Sequence, residues 1–349
     1  MLKHNISTMS IIHFLNVLEG DCNIIQHDSG RISVIDISNA YDEDDTPEET
    51  AVRNSQVRHL MQNRTMIPSN KKDYQQKKSP DNPIEYLKNA VKTREIFRFV
   101  VTHPDMDHLD GIKDLFNNFN IACFWDTNNK KELTTFYNGG YNKADWDFYK
   151  DLRDKKVYNG IRRSYVQGDI YNYFNLDYLT ILAPTKELVD EANRTGNYND
   201  SSFVLLYEPP RGTVGNWKIV FAGDSEDKTW ETILNNDDLK RRLTNVDILF
   251  APHHGRDSGR SYKFLDVLEP LYTLLGNASS EHLAYNCYPK TRITNNQAGY
   301  IILNIETHSI GIYVKNFEFA RDFRSRRNYS EPVYNPQFNG YLIEVYFGR

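Results

Sequence analysis

Three short clusters of ligand-type residues, each directly after an apolar run, constrain this chain more than anything else in it. Residues 96–101 read as a buried strand and are followed by Thr102-His103-Pro104-Asp105-Met106-Asp107-His108. The apolar run 218–222 is followed by Gly223-Asp224, and 246–250 by Ala251-Pro252-His253-His254-Gly255. A strand that ends in polar residues and passes into a helix presents those side chains at a sheet's carboxyl edge. Three such ends predict an α/β fold in which His103, Asp105, Asp107, His108, Asp224, His253 and His254 share one edge. Pro104 lets alternate side chains fan to opposite sides. His103 and Asp105 then face one cation and Asp107 and His108 a second, with the Asp224 carboxylate placed to bridge them. Asn199, ahead of the run 203–207, occupies the same kind of position with less specific chemistry.

The remaining pattern supplies the frame. Residues 11–37 alternate apolar and polar positions around the turn signal His27-Asp28-Ser29-Gly30-Arg31, which opens a β-meander. Helices are expected at 84–93, 112–119, 146–155, 227–235 and 261–268. Strands are expected at 122–125, 178–182, 272–275, 300–305 and 310–314. Two stretches read as insertions. Residues 41–83 pass from an acidic segment to a basic run, 53–78, with a helix near 50–62 and a mobile part near 69–80. Residues 126–178 are irregular and aromatic-rich. With a C-terminal extension over about 316–349, the whole chain, 1–349, reads as one domain with surface insertions.

Composition removes several classes. The formal net charge is −5, which argues against a wide basic face for duplex DNA. Three separated cysteines, Cys22, Cys123 and Cys287, make no CxxC pair and exclude a disulfide scaffold, so a reducing, cytoplasmic setting is expected. No run reaches the length of a membrane span. The most apolar early segment, 11–18, is broken by His13 and Asn16 and reads as a strand.

Taken together and in this order, His103-x-Asp105-x-Asp107-His108, Gly223-Asp224 and Pro252-His253-His254-Gly255 resemble the metallo-β-lactamase-fold hydrolases. Within them the chain is most similar to the hydrolase domain of ComEC-type DNA-uptake proteins and to phosphorylcholine esterases. The segments 15–21 and 34–36 look like that branch's first two strands. The resemblance spans about 11–315 and implies an αββα four-layer sandwich with a dinuclear site on one edge. It implies His103, Asp105 and Asp224 on the first metal, and Asp107, His108, Asp224 and one of His253 or His254 on the second. Asn199 would lie near the first metal, and Asp36 would support the ligand loop. The chain departs from the pattern in three places. Asp105 stands where many members have histidine, a more oxygen-rich set that suits Mn²⁺ as well as Zn²⁺. Arg256 stands where the ComEC branch has serine, and Tyr288 where it has a histidine.

The chemistry expected is attack on phosphorus by a hydroxide made at two divalent metal ions. Arg256 would grip the phosphate, Ser258 and Ser261 would cap the following helix, and Tyr288 or the non-ligating histidine would protonate the leaving oxygen. Asp107, Asp224, His253, Arg256 and Tyr288 are thus the candidate catalytic residues of a phosphodiesterase or nuclease. Its partner would be a phosphodiester, with single-stranded nucleic acid or a nucleotide as candidates. The basic run 53–78 and the tail residues Arg321, Arg324, Arg326 and Arg327, interleaved with Phe319, Phe323 and Tyr329, would guide a strand. Two alternatives stand beside this. One is a hydrolase of a small ester, lactone, cyclic nucleotide or phosphocholine diester; the other is a non-catalytic, metal-stabilised binding module.

Overall fold

Each of the first three strands is short, and each turns back on the last: β1 (Ser10–Phe14), β2 (Asn23–Gln26) and β3 (Ile32–Ile35) form an antiparallel meander. The computed structural model describes residues 10–42, 73–136, 140–169, 177–257, 260–278 and 284–349. β4 (Glu95–Val100), β5 (Asn120–Trp125) and β6 (Ile161–Arg163) then add in parallel beside β3. The chain next builds a second sheet from β7 (Leu179–Ala183), β8 (Val204–Tyr207), β9 (Ile219–Phe221), β10 (Ile248–Phe250), β11 (Tyr272–Leu275) and β12 (Arg292–Thr294). Here β7, β8 and β9 are antiparallel and β9 to β12 are parallel. Finally β13 (Ile301–Ile305), β14 (Ile310–Val314), β15 (Val333–Asn335) and β16 (Gly340–Tyr346) return to the first sheet on the far side of β1. Each sheet therefore has a parallel part, and parallel strands send their carboxyl ends, with the loops that follow, to one edge.

Three apolar cores separate four layers. The middle core joins the inner faces of the two sheets, through Ile12, Ile25, Val100 and Trp125 from one and Leu205, Ile219, Phe250 and Leu274 from the other. On the outer face of the first sheet, Val34, Phe99 and Phe124 meet α1 (Ile112–Asn118) and α2 (Lys143–Arg153) through Leu115, Trp146, Tyr149 and Leu152. On the outer face of the second, Val204, Val220 and Leu249 meet α4 (Asp227–Leu234) and α5 (Asp237–Leu243) through Trp230, Ile233 and Leu243. α3 (Lys186–Thr195) follows β7. The expected α/β, helix–sheet–sheet–helix layering is what these cores define.

Local chemistry explains the helix ends. Asn142 caps α2 by accepting from the Ala144 N–H, and residues 146, 149 and 152 fall on one face at helical spacing. Thr185 caps α3, and Gly196 closes it in a left-handed conformation at φ 81°.

Several expectations change. The region 126–178 is not simply a surface insertion: α2 buries Trp146, Tyr149 and Leu152, and β6 extends the first sheet. The extension 316–349 is likewise built in. β16 pairs with β14, and α6 (Phe317–Ser325) sends Phe319, Ala320 and Phe323 into the core between the sheets. Those two phenylalanines are buried and unable to stack on bases. Arg327 stacks on Phe323 at 3.8 Å, Arg324 donates to Ser330 and Ile343 carbonyls, and Arg321 pairs with Glu318. The helix expected at 261–268 shortens to a single turn at Leu265–Leu268. Ser261 does not cap that turn: its N–H and hydroxyl donate to Asp227, and its Oγ accepts from the Lys263 N–H at 3.5 Å, ahead of the helix. The strand expected over 11–18 ends at Phe14. The helix near 50–62, Ser258, and the basic residues Arg53, Arg58, Arg64, Lys71 and Lys72 lie outside the described residues.

Candidate metal centre

Four strand ends meet at the site. β3 hands over to Asp36, β4 to residues 102–108, β9 to Asp224 and β10 to His253 and His254. Parallel pairing of β3 with β4, and of β9 with β10, sets these loops side by side. The Phe203 N–H donates to the Thr102 carbonyl at 3.0 Å and ties one sheet's edge to the other's.

Asp36 organises the first loop. It sits at φ 58°, and its carboxylate accepts from the Thr102 N–H and hydroxyl, both at 2.7 Å, and from His108 Nδ1 at 2.8 Å. His253 and His254 are also left-handed, at φ 53° and 57°. Left-handed backbone in residues with a Cβ costs on the order of 1 kcal/mol or more each, and persists where the surroundings impose it. Three such residues within one site mark the place where the fold holds strain to aim side chains. Gly20 permits a close approach: a Cβ there would lie 1.7 Å from the Asp107 carbonyl oxygen.

Asp224 is 2% exposed and stands at the centre with its two oxygens facing different neighbours. Oδ1 lies 3.2 Å from His108 Nε2 and 3.6 Å from His254 Nε2, and His254 Nε2 is 3.3 Å from Asp107 Oδ2. Oδ2 lies 3.6 Å from His103 Nε2 and 3.5 Å from His253 Nε2, with Asp105 Oδ2 3.7 Å beyond His103 Nε2. Ligand atoms of Asp107, His108, Asp224 and His254 all fall within 4.8 Å of one another, the spacing of a shared metal ion.

The buried atoms here fit a cation. His103 Nε2, His108 Nε2, His254 Nε2 and Asp224 Oδ1 are buried without a hydrogen-bond partner, although buried polar atoms normally find one. The electrostatics agree. Burial alone would raise the Asp224 carboxyl, but His108, His254, His253 and His103 hold it well below the usual carboxylate range. Burial pulls His254 down, yet Asp21 and Asp224 outweigh it and lift the ring to about 10. His108 is raised the same way against burial by Asp224, Asp36 and Asp107. Positive charge is favoured at this spot, so protons and metal ions compete for it.

The other expected residues are dispersed. Asn199 turns to Glu226, its amide 3.4 Å from that carboxylate. Tyr288 is buried among the apolar residues beneath the outer helices, edge-on to Tyr262, and burial pushes its phenol far up. Arg256 follows the histidine pair, its N–H donating to the His253 carbonyl. Sequence reading missed four supports. Asp21 sits 3.0 Å from His254 Nδ1, and Arg260 donates to His253 Nδ1 at 2.8 Å. Lys131 pairs with Asp105, and Lys77, whose ammonium burial brings down to about 8, donates to the Ala278 carbonyl. Asp21 carried a sequence signal as the end of the run 15–21, and Lys77 as a member of the basic run 53–78, though it turns inward and does not face a strand.

No protein-family model and no curated protein matches this chain. Among solved structures it is similar to Igni18, a metallo hydrolase from the hyperthermophilic archaeon Ignicoccus hospitalis. The two are 12% identical, with 83% of this chain and 88% of that one covered, at a TM-score of 0.40. It is also similar to a diphosphatase of the PhnP family, at 8% identity, 85% and 98% coverage and a TM-score of 0.38. CmlA, a diiron β-hydroxylase from Streptomyces venezuelae, is 11% identical over 76% of this chain, at a TM-score of 0.39, and this chain spans 44% of its length.

Proposed function

We propose that this chain is a dinuclear metal-dependent phosphodiesterase of the metallo-β-lactamase-like class. The observation that carries this is Asp224, one oxygen turned to His103 and the other to His108 and His254. In this reading His103, Asp105 and Asp224 hold one ion, and Asp107, His108, Asp224 and His254 hold the other. Two such ions supply an activated water and charge for the oxygens of an in-line displacement. The carboxylate-rich set suits Zn²⁺ or Mn²⁺.

The chain's own residues do the rest. Asp36 and Asp21 hold His108 and His254 by their Nδ1 atoms, which keeps each Nε2 turned inward. Arg256, beside the histidine pair, grips a phosphate oxygen with its planar fork. A nuclease acting on flexible ends is the narrower form, akin to the ComEC branch. The packed tail argues for small or flexible diesters over long guided strands, because Phe319 and Phe323 are core residues. No helix among the described residues is long and apolar enough to cross a membrane, and Cys22, Cys123 and Cys287 are free thiols, which fits a reducing, cytoplasmic setting.

The test is Asp107→Ala assayed on a generic phosphodiester with added Mn²⁺ or Zn²⁺. Loss of cleavage with retained folding is expected. Full activity in the variant, or no metal bound by the parent protein, overturns the reading.

A further inference from the structure

Four imidazoles face Asp224, but their outer nitrogens have partners of opposite polarity. His108 Nδ1 is 2.8 Å from Asp36 Oδ2, and His254 Nδ1 is 3.0 Å from Asp21 Oδ1. An ionised carboxylate only accepts, so His108 Nδ1 carries hydrogen and in the neutral ring its Nε2 keeps the lone pair; the Asp21 carboxylate beside His254 Nδ1, close but outside hydrogen-bond geometry, favours the same tautomer there. His103 follows suit. Its Nδ1 is 3.2 Å from the Thr102 hydroxyl, whose own proton goes to Asp36 Oδ2 at 2.7 Å, so the hydroxyl accepts from His103. These three rings are set up as ligands.

His253 is wired the other way. Its Nδ1 is 2.8 Å from the Arg260 guanidinium, which has five N–H donors, no acceptor, and no neutral form in proteins. Nδ1 must therefore hold the lone pair, and the proton of the neutral ring sits on Nε2, 3.5 Å from Asp224 Oδ2. Arg260 cannot swing away easily. It is buried, donates to the Ser225 carbonyl at 2.7 Å, and reaches the Asp224 carbonyl at 3.5 Å, so it is clamped to the turn that carries the central carboxylate. An Nε2–H cannot coordinate a cation; it can donate to an anionic oxygen.

We propose that His253 is not a metal ligand but a hydrogen-bond donor aimed at a phosphoryl oxygen of the substrate, and that Arg260 is the positioning residue that fixes this tautomer. The proposal rests on the dinuclear phosphodiesterase reading and divides the adjacent histidines between two jobs. His254, held by a carboxylate, binds metal. His253, held by a guanidinium, meets substrate. The consecutive left-handed residues are what let neighbours in sequence point both rings at Asp224 with opposite tautomers.

The direct test is the imidazole ¹⁵N spectrum of the metal-loaded protein, assigned with His253→Ala and His254→Ala. His253 is expected as the Nε2–H form, and His103, His108 and His254 as Nδ1–H forms with metal-shifted Nε2 signals. A metal-shifted Nε2 signal for His253 overturns the proposal. Elemental analysis gives the second reading. His253→Ala should keep the parent's metal count while kcat on a model diester falls about 10²-fold or more, and His254→Ala should lose metal. Loss of an ion from His253→Ala contradicts the proposal while leaving the dinuclear reading intact. Arg260→Met should scramble the His253 tautomer and lower kcat at unchanged metal content, with Arg260→Lys restoring part of both. If Arg260→Met leaves the His253 signals unchanged, the positioning role fails. A parent protein that binds no metal breaks the underlying reading instead, and the two failures are distinguishable.

Discussion

Two buried clusters of charge lie within this molecule, and they are built on opposite plans. Between the sheets, Arg98 meets Asp177 at 2.6 Å and the Ser33 hydroxyl at 2.7 Å, with the Trp125 ring 4.9 Å away and His27 bonded to the same serine. Opposite charges sit side by side there and balance. At the sheet edge, the carboxylates of Asp107 and Asp224 pair, among the described residues, only with imidazoles, and several of those ring nitrogens have no partner. A buried cluster that balances its own charge asks nothing of solution. One that gathers carboxylates and lone pairs around Asp224, with Lys131 and Arg260 engaging only Asp105 and His253 beside it, is poised to bind a cation. The first plan satisfies charge inside the sandwich, and the second leaves a candidate site for a cation.

The sharpest way to break the contrast is to remove the centre of each cluster. Asp224→Asn should cost on the order of 10³-fold or more in diester hydrolysis, because in the proposed centre both ions would draw on that carboxylate. Metal content should fall with it, and retained hydrolysis at full metal content would sink the assignment. Arg98→Ala should do the reverse. Asp177 would keep Arg31 at 3.4 Å and the Ser29 hydroxyl at 2.8 Å but lose its nearest charge partner, which should cost about 2–3 kcal/mol in denaturant unfolding, with no change in metal stoichiometry per folded molecule. If Arg98→Ala instead unloads metal, the two clusters are not independent.

A third variant sharpens the boundary of the metal edge. Among the described residues the Asp36 carboxylate bonds Thr102 and the back of one ligand, His108, so Asp36→Asn should weaken metal binding about 10- to 100-fold without abolishing it. Binding isotherms that match the parent's would remove Asp36 from the account. The smallest effect concerns pH. Burial first, then the Arg98 charge, hold the His27 imidazole down to about 3 in the folded protein, against an ordinary value of 6.5. Because the unfolded chain takes up that proton first, stability should fall as pH drops below about 6.5, at up to about 1.4 kcal/mol per pH unit. His27→Gln should flatten this slope, measured by urea unfolding at pH 7 and pH 5. An unchanged slope would place the titration elsewhere.

The metal edge was more legible in the sequence than the charged core, for a physical reason. Ligands at strand ends come as dense local runs such as His103 to His108, and strand-then-turn patterning places each run at an edge. The Arg98–Asp177 pair spans 79 positions and leaves no local trace. The same limit hid Arg260 and Lys131, whose importance lies in which ring nitrogen or carboxylate oxygen they reach. It also let His253 and His254 look interchangeable, since only their outer partners differ. Within the fold, alternation and caps gave the central strands and α2. β15 and β16 were missed because β16 buries residues irregularly, without the clean alternation of a one-faced strand. α3 was missed despite Thr185 and Gly196, since apolar residues are sparse along it.

The most direct measurement of the central claim is the number of metal ions bound per chain, by elemental analysis of the 349-residue chain and of its Asp224→Asn variant after equal exposure to Zn²⁺ or Mn²⁺. Two ions in the parent and a marked loss in the variant are predicted. A parent that binds none, or a variant that keeps both, would contradict a centre built around Asp224.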